Sequence, residues 1–203
     1  MERKYAWHNY DDATMEKVYA LSDTYRQFLD NGKTERECVV QAVEFAEAKG
    51  YVNLNDIIKS NTSIKAGDKI YYTHMDKSIA LFNIGTDDIE LGMNILGAHI
   101  DSPRIDVKQN PQYEDSNLVF WDTHYYGGIK KYHWVAMPLA IHGVVVKTDG
   151  TRININIGDK ESDPVFCITD LLPHLGQEQM QKNAAKVIEG EALDLLIVSR
   201  PVK

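Results

Sequence analysis

A histidine and an aspartate two positions apart, His99 and Asp101, point most directly to chemistry. They end residues 93–100, a run of apolar and small side chains that is typical of a strand buried on both faces of an α/β sheet. Ligands in such sheets bind beyond the carboxyl ends of the strands, and strand positions i and i+2 share a face. Asp101 is therefore placed to fix the tautomer of His99 and raise its basicity, as a metal-binding histidine requires. By pattern alone, a hydrogen-bonded structural histidine remains the alternative.

Three other segments contain side chains that could take part in catalysis or binding. His74 and Asp76 have the same spacing, but they fall in a predicted hairpin turn, where a carboxylate usually bonds the local backbone. Residues 123–134, THYYGGIKKYHW, combine aromatic and lysine side chains with paired glycines. They fit either a binding loop or a glycine-turned junction. His174, between Pro173 and Leu175, would by itself be a surface-loop histidine.

Composition excludes several classes of protein. The chain has 203 residues and a formal net charge of -8, with 22 Lys and Arg against 30 Asp and Glu. This charge disfavours nucleic acid and anionic membrane as partners. No apolar run approaches the roughly 20 residues of a membrane-spanning helix. The two cysteines form no metal-binding pair and predict free thiols in a reducing cytoplasm.

The first half of the chain predicts helices followed by strands. Apolar side chains at helical spacing predict a helix over residues 14–29, with its apolar stripe facing a core. A second helix begins at Thr34, where Thr34 and Glu37 form a capping box, and ends at Gly50. Residues 69–75 and 78–84 then predict a hairpin, ahead of the buried strand at residues 93–100.

The second half predicts mainly strands. Residues 144–157 predict a hairpin with a two-residue type I′ turn at Asp149 and Gly150, and residues 192–198 predict a further strand. The change of pattern near Arg104 predicts two domains, residues 1–103 and 104–203. The fold class is accordingly α/β, followed by a mainly β domain.

Six segments resemble the aspartyl aminopeptidase family of zinc aminopeptidases, which are cytosolic exopeptidases that remove an N-terminal, often acidic, residue from peptides. They lie in the family's order from about residue 70 onward, and GAHIDSPR with its preceding hairpin is the most specific. The segments are YYTHMDKSIALFNIG, GAHIDSPR, HYYGG, GVVVKTDG, LPHL and EGEALDLLIVSRP.

The resemblance implies an α/β catalytic domain interrupted by an inserted, mainly β domain used in oligomerisation, and a centre of two zinc ions. His99 matches the family's first metal ligand, and Asp101 matches the carboxylate that orients it. His174 matches a histidine that reaches a neighbouring subunit's active site and helps to stabilise the transition state. The expected partners are a peptide substrate and further copies of the chain.

The chain departs from the family in two respects. The family's remaining ligands, a bridging Asp, a Glu-Glu pair that holds the general base, a further Asp and a late His, have no counterpart here. A catalytic zinc needs about three protein ligands, so this chain is expected to hold only part of the centre and to expose the apolar face that the missing part would cover. After Gly128, an apolar stretch replaces the family's Arg- and Asp-rich segment, which weakens the case for acidic substrates.

The sequence therefore predicts a zinc-dependent aminopeptidase of which this chain carries part of the active site. Two alternatives belong to other classes. One is a non-catalytic oligomerisation module; the other is a peptide-binding protein that uses the loop at residues 123–134.

Overall fold

The structure is a computed structural model that describes residues 5–201. It comprises two compact units, Met1–Asp101 and Ser102–Lys203. The sequence placed a domain boundary between residues 103 and 104. The assignment of the two parts to a catalytic and an inserted domain stays a prediction.

The first unit is α/β and the second is mainly β, which confirms the predicted fold class. The helices are α1 (Asp12–Asn31), α2 (Glu35–Ala48), α3 (Leu54–Lys59) and α4 (Gln177–Met180). The strands are β1 (Val52–Asn53), β2 (Lys69–His74), β3 (Ser78–Asn83), β4 (Arg104–Asp115), β5 (Leu118–Tyr126), β6 (Ile141–Val146), β7 (Arg152–Ile157), β8 (Cys167–Ile168) and β9 (Leu195–Val198).

The start of α2 confirms the predicted capping box. The Thr34 side chain accepts a hydrogen bond from the Glu37 backbone N–H at 3.3 Å, and the Glu37 carboxylate accepts one from the Thr34 N–H at 2.8 Å. The helix buries Cys38, Val39 and Ala46. α1 also forms as predicted, but none of its residues is buried. The expectation that its apolar stripe faces a core is therefore wrong for this chain, because α2 covers only part of that stripe, in the stack of Phe28 on Phe45.

A three-stranded sheet, ordered β1-β2-β3, lies in the first unit. The antiparallel β2–β3 pair confirms the predicted hairpin. Its turn places Met75 and Asp76 at φ values of 52° and 56°. The Arg36 guanidinium secures this turn by donating to the Met75 carbonyl at 2.8 Å, and it lies 3.9 Å from the Asp76 carboxylate. The second His-x-Asp sequence is therefore part of a structural turn.

Residues 93–100 do not form the predicted buried strand. They have no regular secondary structure, and the large side chains of Met93, Ile95 and Leu96 are exposed. A strand is stabilised by neighbours on its edges and faces, and no strand within residues 5–201 pairs with this segment. The prediction of a buried strand is therefore wrong for this chain, in which the apolar side chains that suggested it are exposed.

The second unit has a four-stranded sheet, ordered β4-β5-β9-β8. β9 confirms the strand predicted within residues 192–198, whereas the long β4–β5 hairpin was not predicted. A core cluster lies against this sheet. Its buried members are Phe166, Ile168, Ile188, Leu193 and Leu195.

The β6–β7 pair confirms the second predicted hairpin, but its turn differs from the prediction. Only Gly150 has positive φ, at 84°, whereas a type I′ turn needs positive φ at both central residues. The Lys147 N–H bonds the Thr151 carbonyl, which makes a three-residue loop. The Asp149 carboxylate accepts from the Thr151 N–H at 2.8 Å, and this bond fixes the loop. Among the described residues, no helix is long and apolar enough to cross a membrane.

Candidate metal site

His99 and Asp101 lie together, as the sequence predicted. The His99 Nδ1 atom is 3.1 Å from the Asp101 carboxylate oxygen Oδ1 and 3.0 Å from the Asp101 main-chain carbonyl oxygen. Both oxygens are hydrogen-bond acceptors, so Nδ1 carries the ring hydrogen and is the donor to both. The Nε2 lone pair is then free to bind a ligand from outside the pair.

Exposure of the two side chains fits that assignment. The His99 side chain is 84% exposed, whereas the Asp101 side chain is 38% exposed. The imidazole is thus mostly exposed to solvent, while the Asp101 carboxylate contacts its Nδ1 atom. A carboxylate on one ring nitrogen and a metal on the other is the usual arrangement around a metal-binding histidine.

These two residues fit one ligand position of a zinc centre. The exposed Nε2 of His99 is one available nitrogen donor, and the Asp101 carboxylate contacts the other ring nitrogen. A catalytic zinc uses about three protein ligands and a water. Within residues 5–201, no three His, Cys, Asp or Glu side chains are grouped so as to hold a metal ion. The described part of the chain therefore does not join the His99–Asp101 pair to further ligands.

His174 occupies an exposed turn in the second unit. The Leu175 and Gly176 N–H groups both bond the Leu172 carbonyl, at 2.8 and 2.9 Å, so the turn is tight. At its base, the Asp170 carboxylate accepts from the Leu171 N–H at 2.8 Å and from Gln179 at 2.9 Å. His174 is thus exposed to solvent on a loop that these hydrogen bonds hold in place. The part played by Asp170 was not predicted, because it depends on a contact nine positions along the chain.

Polar contacts on the β4–β5 hairpin also escaped prediction. The Lys108 ammonium lies 2.9 Å from both the Asp122 and Glu191 carboxylates, and these hydrogen bonds raise the pKa of Lys108 to about 12. The Tyr113 hydroxyl donates to Asp194. Burial, followed by that hydrogen bond, raises the pKa of Tyr113. Sequence offers no signal for such pairs, since their members are up to 83 positions apart.

Comparison with known proteins first gives the class. A family model described as Aminopeptidase I zinc metalloprotease (M18) matches residues 28–200. The match includes His99, Asp101 and His174, and the family that it describes is one of zinc metalloproteases. The chain belongs to this M18 family, which confirms the resemblance to zinc aminopeptidases.

Individual relatives agree with the family match. The chain is 52% identical over 202 residues to a probable M18 family aminopeptidase 1 of Clostridium acetobutylicum. It is 44% identical over 206 residues to the corresponding protein of Thermotoga maritima. Each alignment covers 100% of this chain but 43% of the relative. The chain therefore spans less than half the length of these curated relatives.

Solved structures share the fold. The crystal structure of an M18 aminopeptidase from Thermotoga maritima has a TM-score of 0.89 at 43% identity, covering 100% of this chain and 43% of that one. Aminopeptidase I from Clostridium acetobutylicum has a TM-score of 0.83 at 52% identity, over 98% of this chain and 43% of that one. The Saccharomyces cerevisiae mApe1 dodecamer, at 17% identity and a TM-score of 0.64 over 90% of this chain and 39% of that one, has a similar fold.

Proposed function

We propose that this chain supplies the N-terminal part of a zinc-dependent M18 aminopeptidase, which removes N-terminal residues from peptides. The observation that carries the proposal is the His99–Asp101 pair, in which a carboxylate holds Nδ1 and leaves Nε2 exposed. The pair lies inside the stretch matched by the family model. In a zinc centre, this arrangement would let His99 act as a metal ligand.

Each residue has a distinct role in this proposal. His99 provides one metal ligand through Nε2, and Asp101 keeps the ring in the required tautomer. When bound, zinc polarises the scissile carbonyl and lowers the pKa of a water. His174, extended from its exposed turn toward a partner subunit, donates a hydrogen bond to the oxyanion as charge develops.

The remaining ligands and a glutamate general base would come from a polypeptide region outside this chain. Two observations support this view. The described residues form no cluster of metal-binding groups, and the relatives are more than twice as long as the aligned region. The exposed apolar side chains at residues 93–96 fit the same proposal, because a completing region would bury them.

Assembly and location follow from the same proposal. We expect a homo-oligomer, which the dodecameric neighbour of similar fold supports. The proposed location is the cytoplasm, where the two free cysteines would stay reduced. We expect neither nucleic acid nor membrane as a partner, given the formal charge of -8.

Fragment complementation tests the function. This chain would be mixed with the part of the Clostridium acetobutylicum relative that lies beyond the aligned region, and release of the N-terminal residue from short peptides would be measured with added zinc. We expect activity only in the mixture. His99→Ala should abolish that activity, whereas the matched control His74→Ala should retain it, because His74 is an exposed histidine with the same spacing to an aspartate.

The controls separate this function from the two alternatives. A complex that forms but has equal activity with His99→Ala and His74→Ala would contradict the assigned role of His99. Peptide binding by this chain alone that survives a chelator would favour the peptide-binding alternative. Assembly with no zinc bound to the mixture would favour the non-catalytic module.

A further inference from the structure

We propose that the second unit contains a binding site for a small phosphate-bearing anion, in the concavity lined by Lys131, Lys182 and Lys186. This site, called the lysine concavity below, has a volume of about 420 Å³. It is formed entirely within the unit Ser102–Lys203. The inference therefore stands apart from the proposed metal centre.

The charge of the lysine concavity is opposite to that of the chain. Three lysines and one glutamate, Glu189, are its charged lining residues, although the chain as a whole has a net charge of -8. The Glu189 carboxylate forms an ion pair with the Lys182 ammonium, with Oε1 3.3 Å from Nζ. Within the described residues, neither Lys131 nor Lys186 lies within ion-pair distance of a carboxylate. Positive charges gathered in one concavity repel each other unless an anion lies among them.

Packing behind the concavity holds one of its lysines in place. The Lys131 ammonium lies 5.6 Å from the centre of the Tyr125 ring, a cation–π distance. The same ring packs closely on Gly190, where an added Cβ would lie 2.9 Å from Tyr125 Cε1. The absence of a side chain at Gly190 thus lets Tyr125 take the position from which it supports Lys131. Buried Ile188 lies beneath and gives the lining an apolar base.

Phosphate is the anion that suits this lining best. A lysine ammonium binds phosphate as a point charge with three donors, and it imposes no planar geometry on its ligand. One phosphate group presents several acceptor oxygens and nearly two charges, so it can contact more than one of these lysines at once. The volume of the concavity falls within the range of small-molecule sites.

The test uses the whole chain and pyrophosphate as the probe. Titration would be followed by NMR chemical shifts at constant ionic strength, with citrate as a separate carboxylate arm. We expect saturable binding of pyrophosphate with a Kd near or below about 1 mM. Lys131→Gln and Lys186→Gln should each weaken it by about fivefold or more. Lys147→Gln, at an exposed lysine of the same unit, should change it by less than about twofold.

A charge-neutral variant distinguishes a built site from general attraction. Gly190→Ala should weaken pyrophosphate binding because it displaces Tyr125, whereas Gly143→Ala should not, because nothing lies within 4 Å of an added Cβ there. Circular dichroism would verify that each variant is folded. Tighter binding of citrate than of pyrophosphate would overturn the assignment to phosphate. Absence of saturation, or equal losses in Lys186→Gln and Lys147→Gln, would overturn the site itself.

Discussion

Replacement of Leu96 by alanine tests whether the exposed apolar segment at residues 93–100 is buried when the completing polypeptide binds. The Leu96 side chain is fully exposed, at 101% of its reference area. Its truncation removes no buried surface from this chain. The free energy of unfolding of the isolated chain should therefore change by no more than about 0.5 kcal/mol, as at other surface positions.

The same substitution should weaken complementation strongly. A completing region that buries residues 93–100 would fully bury Leu96, and full burial of a leucine side chain is worth about 1.5–3 kcal/mol. Since about 1.4 kcal/mol corresponds to a tenfold change in affinity, Leu96→Ala should raise the Kd for the completing fragment by roughly ten- to a hundredfold. Leu96→Ala is thus expected to change the affinity for the fragment but not the free energy of unfolding of the isolated chain.

The assay pairs urea unfolding of the isolated chain with titration of the C-terminal fragment of the Clostridium relative. Leu193→Ala is the matched control, because Leu193 is 0% exposed in the core of the second unit. It should lower the free energy of unfolding by about 2–5 kcal/mol. The reasoning would be refuted if Leu96→Ala destabilised the isolated chain as much as Leu193→Ala, or if it left the affinity for the fragment unchanged.

Three further predictions concern individual contacts. Asp101→Asn should lower the zinc affinity of the complemented protein by about tenfold, measured by competition with a chelator. This is the lower end of the range for carboxylates that orient a metal-binding histidine, because the main-chain carbonyl of residue 101 still accepts from His99 Nδ1. A loss as large as that of His99→Ala would contradict this prediction. Thr34→Ala should lower the free energy of unfolding by about 1 kcal/mol, since it removes the acceptor for the Glu37 N–H; unchanged urea denaturation would show that the cap is unimportant. Burial, and then the nearby Glu37 and Glu35 carboxylates, raise the pKa of the Cys38 thiol. Less thiolate is therefore present at pH 8, and alkylation of Cys38 should be slower than that of Cys167 and should accelerate as pH rises; mass spectrometry showing Cys38 modified first would oppose this.

Local signals allowed much of the fold to be predicted. The capping box at Thr34 and the hairpin of residues 69–84 involve residues within a few positions of one another, so their chemistry can be read from the sequence. The His99–Asp101 contact is local in the same sense, because it joins positions i and i+2. These features are confirmed by the observed hydrogen bonds.

Features that depend on distant partners were missed or misplaced. Residues 93–100 have the composition of a buried strand, but whether a strand forms is decided by neighbours that residues 5–201 do not provide. The Lys108–Glu191 contact likewise depends on folding of the second unit as a whole. Even the Asp149–Gly150 turn differed, since the Asp149 side chain bonds the Thr151 N–H and favours a wider loop.

The central claim is that this chain holds one portion of a shared zinc centre, and zinc stoichiometry after dialysis tests it most directly. We expect less than one tightly bound zinc per chain in the isolated protein and close to two in the complex with the completing fragment. His99→Ala should reduce the content of the complex, and His74→Ala should not. Two tightly bound zinc ions in the isolated chain, or none in the complex, would contradict the account.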